Sequence, residues 1–528
     1  MIITDITNIF ILFIKGQYMN ELNLNISNKK IFFWEDQSFL QFTTAYFLQK
    51  KINCKLYAIF DTTNKTKLFF KNQKLTNFEK IWFFHEHIMK NKKPDLEYLR
   101  SIEKKYDLNL WLLAANERIF YDFYDYHKFS ENEVLSIIEQ ECRLYEQILD
   151  DVKPDFLVIT TNLHHNYIFY KICKAKGVHI LFLTTPRLAG RCMISNDADT
   201  LPVHLDSKPL KHELSFIELE NYQKKHSKFE DTKNFLSGFS SSKWYLLKAA
   251  IEFLFLSDNS NEKTHFTYYG RTKFRVLINS INDVLKTRSR KKFIDKFFLK
   301  NIPDLNFIFY PLHLEPERTL LINAPFFTNQ LEIIRNIAKS LPLGYKLLVK
   351  EQSAMVTRSW RNISWYKQLM QIPNVILIHP SLPPDELLKK CSLVITINGS
   401  AGFDASFFGK PSIVFKDVLY SKLSCVTVLK SIEHLPQEIR NTINKKPNLH
   451  ELNEFINLLE NNSFKFKLNK FSSNVQQSIF LKGNLTDVEV SDNEIQIFLN
   501  MNKELLSPVV DEYIKVINYY VDLETTEK

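Results

Sequence analysis

The stretch VITINGSAGFDASFFGKPSIVF, residues 394–415, decides how the chain is read. The protein has only ten glycines in 528 residues, and three of them, Gly399, Gly402 and Gly409, fall here. Average usage of about 7% would give roughly 37. VITI is β-branched and reads as a buried strand. Asn398-Gly399-Ser400 is turn chemistry. AGFDASFF reads as a short helix with Ser400 as its N-cap; Gly409 ends it, and Lys410-Pro411 leads into the next strand. A helix start after a tight glycine turn offers unpaired N–H groups and the positive end of the helix dipole, which suits a phosphate. Gly399 frees the turn, and Gly402 lets a ligand or the strand come close to the first helical turn. Asp404 is placed to accept a bond from a sugar hydroxyl. A lone GxxG is also what an ordinary capped turn looks like, and no GxGxxG or Walker pattern accompanies it.

The surrounding sequence repeats the same alternation. NFIFYPLH (306–313), YKLLVKE (345–351), NVILIHP (374–380) and SLVITIN (392–398) are strands, separated by helices 328–341, 364–370 and 384–391. The first part of the chain does likewise. KKIFFWEDQ (29–37), KLYAIFD (55–61), KIWFFHEH (80–87), KPDFLVITTN (153–162) and VHILFLTTPR (178–187) are strands, with helices at 131–152 and 164–177. Strands alternating with helices imply parallel sheets with helices on both faces. In such sheets ligands collect at the carboxyl ends of strands. In the first block those ends carry Glu35, Asp36, His85, Glu86, His87, His164, His165 and Arg187.

The expected organisation follows. Residues 1–202 form an N-terminal Rossmann-like domain, and 203–300 a polar helical insert or linker. Residues 301–430 form a second Rossmann-like domain, and 431–528 a helical region whose last helix is long enough to cross back to the first. Within the insert, LKTRSRKKFIDKFFLK (285–300) interleaves basic and apolar residues and suits an anionic membrane face; a solvated helix between domains has the same composition. The net charge of +10 admits phosphorylated substrates or lipid headgroups. Without a nucleic-acid-binding motif it argues for no nucleic acid. The six cysteines form no CxxC pair, which fits a reducing, cytoplasmic setting. The apolar run Ile9–Ile14 is too short to span a membrane, and Met19 is an alternative start. His85 and His87 lack a third ligand, so no metal is expected there.

Three motifs in order resemble the bacterial capsule polysaccharide biosynthesis family, which includes Kdo transferases using CMP-Kdo. That family carries LHxxPE, then VKEHP, then T-x-x-G-[ST]-x-G-x-E-A leading to GKP. This chain has LHLEPE (312–317), LVKEQS (348–353) and TINGSAGFDASFFGKP (396–411). PRLAGR (186–191) and KPDFLVITTN are weaker matches in the first half. Gln352-Ser353 stands where the family has His-Pro, and Asp404 where it has Glu.

The resemblance implies a metal-independent GT-B glycosyltransferase of capsule or surface polysaccharide synthesis, with two Rossmann-like domains facing a cleft. It needs no cofactor. Its partners are a nucleotide-sugar donor, a CMP-sugar and with it Kdo being favoured, and a glycan or lipid-linked acceptor. It is expected in the cytoplasm, at the inner face of the membrane. The donor residues are His313, Glu317, Lys350, Glu351, Asn398, Gly399, Ser400, Ala401, Gly402 and Asp404. Lys350 is expected to neutralise a phosphate with Glu351 holding it in place. Candidate general bases are Glu35, Asp36 and Glu86, with His85 beside them. A catalytically degenerate glycan-assembly or binding subunit at the membrane is the alternative that Gln352 raises. A sugar-nucleotide epimerase is a rival enzyme class.

Overall fold

The computed structural model describes residues 26–526 apart from 27, 91, 122, 161–162, 228–247, 257–259, 316, 481–482 and 484. The apolar run at 9–14 and Met19 lie outside them. The chain builds two sheets. The first contains β1 (Lys30–Glu35), β2 (Lys55–Phe60), β3 (Phe78–Phe83), β4 (Phe156–Ile159), β5 (His179–Thr184) and β6 (Arg191–Ser195). The second contains β7 (Phe307–Pro311), β8 (Lys346–Lys350), β9 (Val375–Ile378), β10 (Leu393–Thr396), β11 (Ser412–Val414) and β12 (Val426–Val428). A last short strand, β13 (Phe464–Lys465), returns to the first sheet and pairs with β6.

Strand order in the second sheet is β12-β11-β10-β7-β8-β9, parallel throughout. This is the doubly wound order whose direction reverses between β7 and β10, opening a crevice at their carboxyl ends. The first sheet has the order β13-β6-β5-β4-β1-β2-β3 and reverses between β1 and β4. Its β1 to β5 are parallel, and β6 runs antiparallel to β5.

Both faces of each sheet are covered, which is why the strands read as continuous apolar runs. In β1, Ile31 and Phe33 point into one core and Phe32 and Trp34 into the other, the alternation a strand imposes. The long final helix, Asp492–Thr526, packs on the Phe33 side through Phe498, Leu506, Val510 and Ile517. In the second sheet Tyr310 and Phe309 divide in the same way. Leu188 and Met193 of the first half share a core with Phe403 and Tyr420 of the second, so the halves are packed together. Among the described residues, no helix is long and apolar enough to cross a membrane.

Candidate donor and acceptor cavities

At the β7/β10 crevice lies a cavity of about 300 Å³. Its wall includes His313, Glu317, Lys350, Glu351, Asn398, Gly399, Ser400, Ala401 and Asp404. Gly402 alone of the expected donor residues does not line it. Gln352 and Ser353 also face it, as do Arg187, Gln223 and Ser227 from the first half.

The glycine turn is built differently from the expectation. Gly399 and Gly402 do not have positive φ; Gly409 does, at 70°, and ends the helix Ala401–Phe407. A Cβ on Gly399 would lie 2.7 Å from Thr396 Oγ1 and 3.1 Å from His313 Cε1; one on Gly402 would lie 2.7 Å from the Tyr420 hydroxyl. The two glycines therefore serve close approach to the protein's own side chains. Ser400 stands at the N-cap position, as the sequence suggested, but in the right-handed helical region and without a side-chain cap bond.

The LHLEPE segment is clamped from behind. The Gln330 amide accepts the His313 N–H at 2.7 Å and donates to the His313 carbonyl at 3.1 Å. Arg361 Nη2 donates to the same carbonyl at 2.6 Å. His313 Nε2 accepts the Ile397 N–H at 3.3 Å and lies 3.1 Å from Thr396 Oγ1, which in turn accepts the Gly399 N–H at 3.1 Å. An Nε2 that accepts must be unprotonated, so the neutral ring carries its proton on Nδ1. Burial, reinforced by the Arg187 and Arg361 charges, depresses His313 to about 3 and keeps it neutral. His313 thus ties the first motif to the glycine turn.

Glu351 acts on Lys350 through its charge and its backbone carbonyl, while its carboxylate bonds elsewhere. Its carboxylate binds Arg361 Nη1 at 2.5 Å and the Tyr366 hydroxyl at 2.7 Å, deep in the wall. Despite burial, the carboxylates of Glu351 and Glu315 keep Arg361 charged. Lys350 instead donates to the Pro380 carbonyl at 3.2 Å and to the Glu351 carbonyl at 3.4 Å. Burial lowers its ammonium to about 8. Asn398 donates to the Thr319 carbonyl, while its Oδ1 is buried without a hydrogen-bond partner among the described residues. Arg187, with φ of 67° and paired to Asp199 at 2.5 Å, adds a guanidinium that spacing did not single out for this site. Arg361 was equally invisible: it follows a 3₁₀ turn and reaches the motif only in three dimensions.

A second cavity, about 460 Å³, opens at the carboxyl ends of β1 to β3. Asp36, Asp61, His85, Arg118, His265 and Arg271 line it. Of the three candidate bases only Asp36 is there. Glu35 turns inward: its Oε2 accepts the Phe42 N–H at 2.6 Å, capping the helix Leu40–Gln49, and burial raises it well above the carboxylate range. Glu86 is on the outer side of the 3₁₀ turn Phe84–His87, paired with Lys67 at 3.0 Å. HEH is a turn rather than a strand end, so His85 and Glu86 point apart.

Asp61 was missed, although it ends β2 as Asp36 follows β1. It accepts from His85 Nε2 and His165 Nε2, both at 2.9 Å. Against the cost of burial, these two partners hold it well below the usual carboxylate range. Burial raises Asp36, opposed by its bonds from Ser38. His164 sits behind them, between Glu141 at 3.0 Å and Glu117 at 3.1 Å; these carboxylates outweigh burial and raise it to about 10.

Residues 227–438 match the sequence model of the capsule polysaccharide biosynthesis protein family. Over that segment, about two fifths of its length, the chain is similar to that family. The segment spans all three motifs and the whole β7–β12 sheet. No curated protein matches the chain. Among solved structures, the KpsC β-Kdo 2,7 transferase of Thermosulfurimonas dismutans is 14% identical over 65% of this chain and 89% of that one, with a TM-score of 0.29. The β-Kdo 2,4 transferase of the same organism is 12% identical over 57% and 79%, also at 0.29. The UDP-GlcNAc 2-epimerase of Methanocaldococcus jannaschii is 12% identical over 80% and 94%, at 0.23. At those scores no argument rests on the three.

Proposed function

We propose that the protein is a glycosyltransferase of capsule or surface polysaccharide synthesis. A nucleotide-sugar donor, a CMP-sugar and with it Kdo being favoured by the family resemblance, occupies the β7/β10 cavity. A glycan or lipid-linked acceptor occupies the cavity at the ends of β1 to β3. The observation that carries this reading is the convergence of three separate motifs on one crevice that also holds a buried lysine and an arginine. Lys350 and Arg187 supply positive charge for the leaving phosphate, so no metal is needed for that task. Asn398 and Ser400 orient the nucleotide or sugar. Asp36, which lines the acceptor cavity and is raised by burial, is the general base. Asp61, locked between two histidines, positions the acceptor.

A second reading, an assembly subunit without turnover, is favoured by one observation. Gln352, exposed on the cavity wall, stands where the family has histidine, and an amide cannot carry charge. The test is to incubate purified protein with CMP- and UDP-sugars, with and without glycan acceptors, and to follow free nucleotide and product. Acceptor-dependent release that Asp36→Asn abolishes supports transfer. Conversion of the donor without an acceptor identifies an epimerase. No turnover with any pair leaves the second reading.

A further inference from the structure

The helix Lys273–Phe297 joins the two halves and, among the described residues, its side-chain bonds to the rest of the protein lie toward its ends. Arg275 Nη1 donates to the Tyr126 carbonyl at 2.9 Å. Arg290 Nη1 donates to the carbonyls of Ser359 and Trp360 at 3.0 and 2.7 Å, and Ile294 is the one buried residue of its 25. On the face opposite Ile294, the side chains follow a helical stripe at steps of four, three and four. Phe274, Ile278, Ile281 and Leu285 are 71%, 40%, 62% and 56% exposed. The same stripe then continues as Arg288, Lys292 and Lys296, all exposed. About three turns of apolar surface are thus followed by about two turns of positive charge, with no acidic residue on the stripe. Phe255, 78% exposed, lies beside its start, where Lys273 Nζ donates to the Leu254 carbonyl at 2.8 Å.

We propose that this outward stripe docks the protein on an anionic lipid surface. An apolar run left 40–71% exposed is costly in water unless a partner covers it. Exposed Phe, Ile and Leu followed along one face by Arg and Lys suit a helix tilted into the headgroup layer with its apolar end first. Its apolar half enters the acyl boundary, and its basic half meets lipid phosphates through long, flexible stems. Charge decides for lipid: the helix carries eight Lys and Arg against two Asp. One of those acids, Asp295, is occupied by His379 at 3.0 Å. Arg290 faces inward and is no part of this surface. The inference stands apart from the donor cavity and from any turnover there.

The full-length protein is mixed with phosphatidylcholine vesicles, or with vesicles containing phosphatidylglycerol as well, and bound protein is recovered by flotation. Binding is expected only to the anionic vesicles and to weaken with salt. Replacing Arg288, Lys292 and Lys296 by Gln should weaken it on the order of 100-fold. Ile278→Ser with Ile281→Ser should abolish it; both positions are exposed, so folding is retained, which circular dichroism verifies. Equal binding to neutral vesicles, or unchanged binding by either variant, overturns the proposal. So does self-association in sedimentation velocity that the Ile278/Ile281 variant dissolves, since the stripe would then be a protein interface.

Discussion

Lys350 offers the sharpest test of the donor cavity. Its ammonium is buried, and burial brings it down to about 8 from the ordinary value near 10.5. For a cation with a lowered folded pKa, the native state releases its proton first, so stability itself rises with pH between about 8 and 10.5. Phosphate binding runs the other way. A nucleotide phosphate held by Lys350 keeps the ammonium protonated in the complex, so affinity falls as pH rises through 8. At pH 9.5 only about one free molecule in thirty still carries the charge. The dissociation constant for CMP should then be roughly 30-fold higher than at pH 7, or about 2 kcal/mol. Titration calorimetry at pH 7, 8, 9 and 9.5 measures it. Lys350→Arg stays charged throughout and should give a flat profile. Wild-type affinity that is flat over this range, or an identical slope in Lys350→Arg, refutes the assignment of Lys350 to the phosphate.

Two further outcomes follow from the packing. Gly402→Ala places a methyl 2.7 Å from the Tyr420 hydroxyl and should cost about 1–3 kcal/mol in thermal unfolding. Adding Tyr420→Phe should recover part of that, and no recovery would show that the clash lies elsewhere. His164, raised to about 10 against an unfolded value near 6.5, gives stabilisation that is complete below about pH 6.5 and fades toward pH 10. The gap in urea stability between wild type and His164→Gln should therefore narrow from pH 6 to pH 9. A constant gap refutes a charged His164.

The sequence determined two sheets with parallel central strands, because a strand buried on both faces must be apolar along its whole length and its helices must carry a 3.6-residue period; the antiparallel β6 and β13 at the edge of the first sheet were not foreseen. Those signals are local. β1, β2 and the helix Glu131–Val152 could be placed from a few residues each. The sequence also located the β7/β10 crevice, since three ordered motifs and a cluster of rare glycines all end strands at one side of a sheet. Contacts between residues distant in the chain were not legible. The clamp of Arg361 on His313, the grip of two histidines on Asp61 and the inward turn of Glu35 each depend on which strand neighbours which. The reason for Gly399 was misread for the same cause, whereas Gly402 does let strand β10 come close, through Thr396. A glycine kept for a turn and one kept for space beside Thr396 and His313 look alike in sequence. Only the packed neighbour, supplied from elsewhere in the chain, distinguishes them.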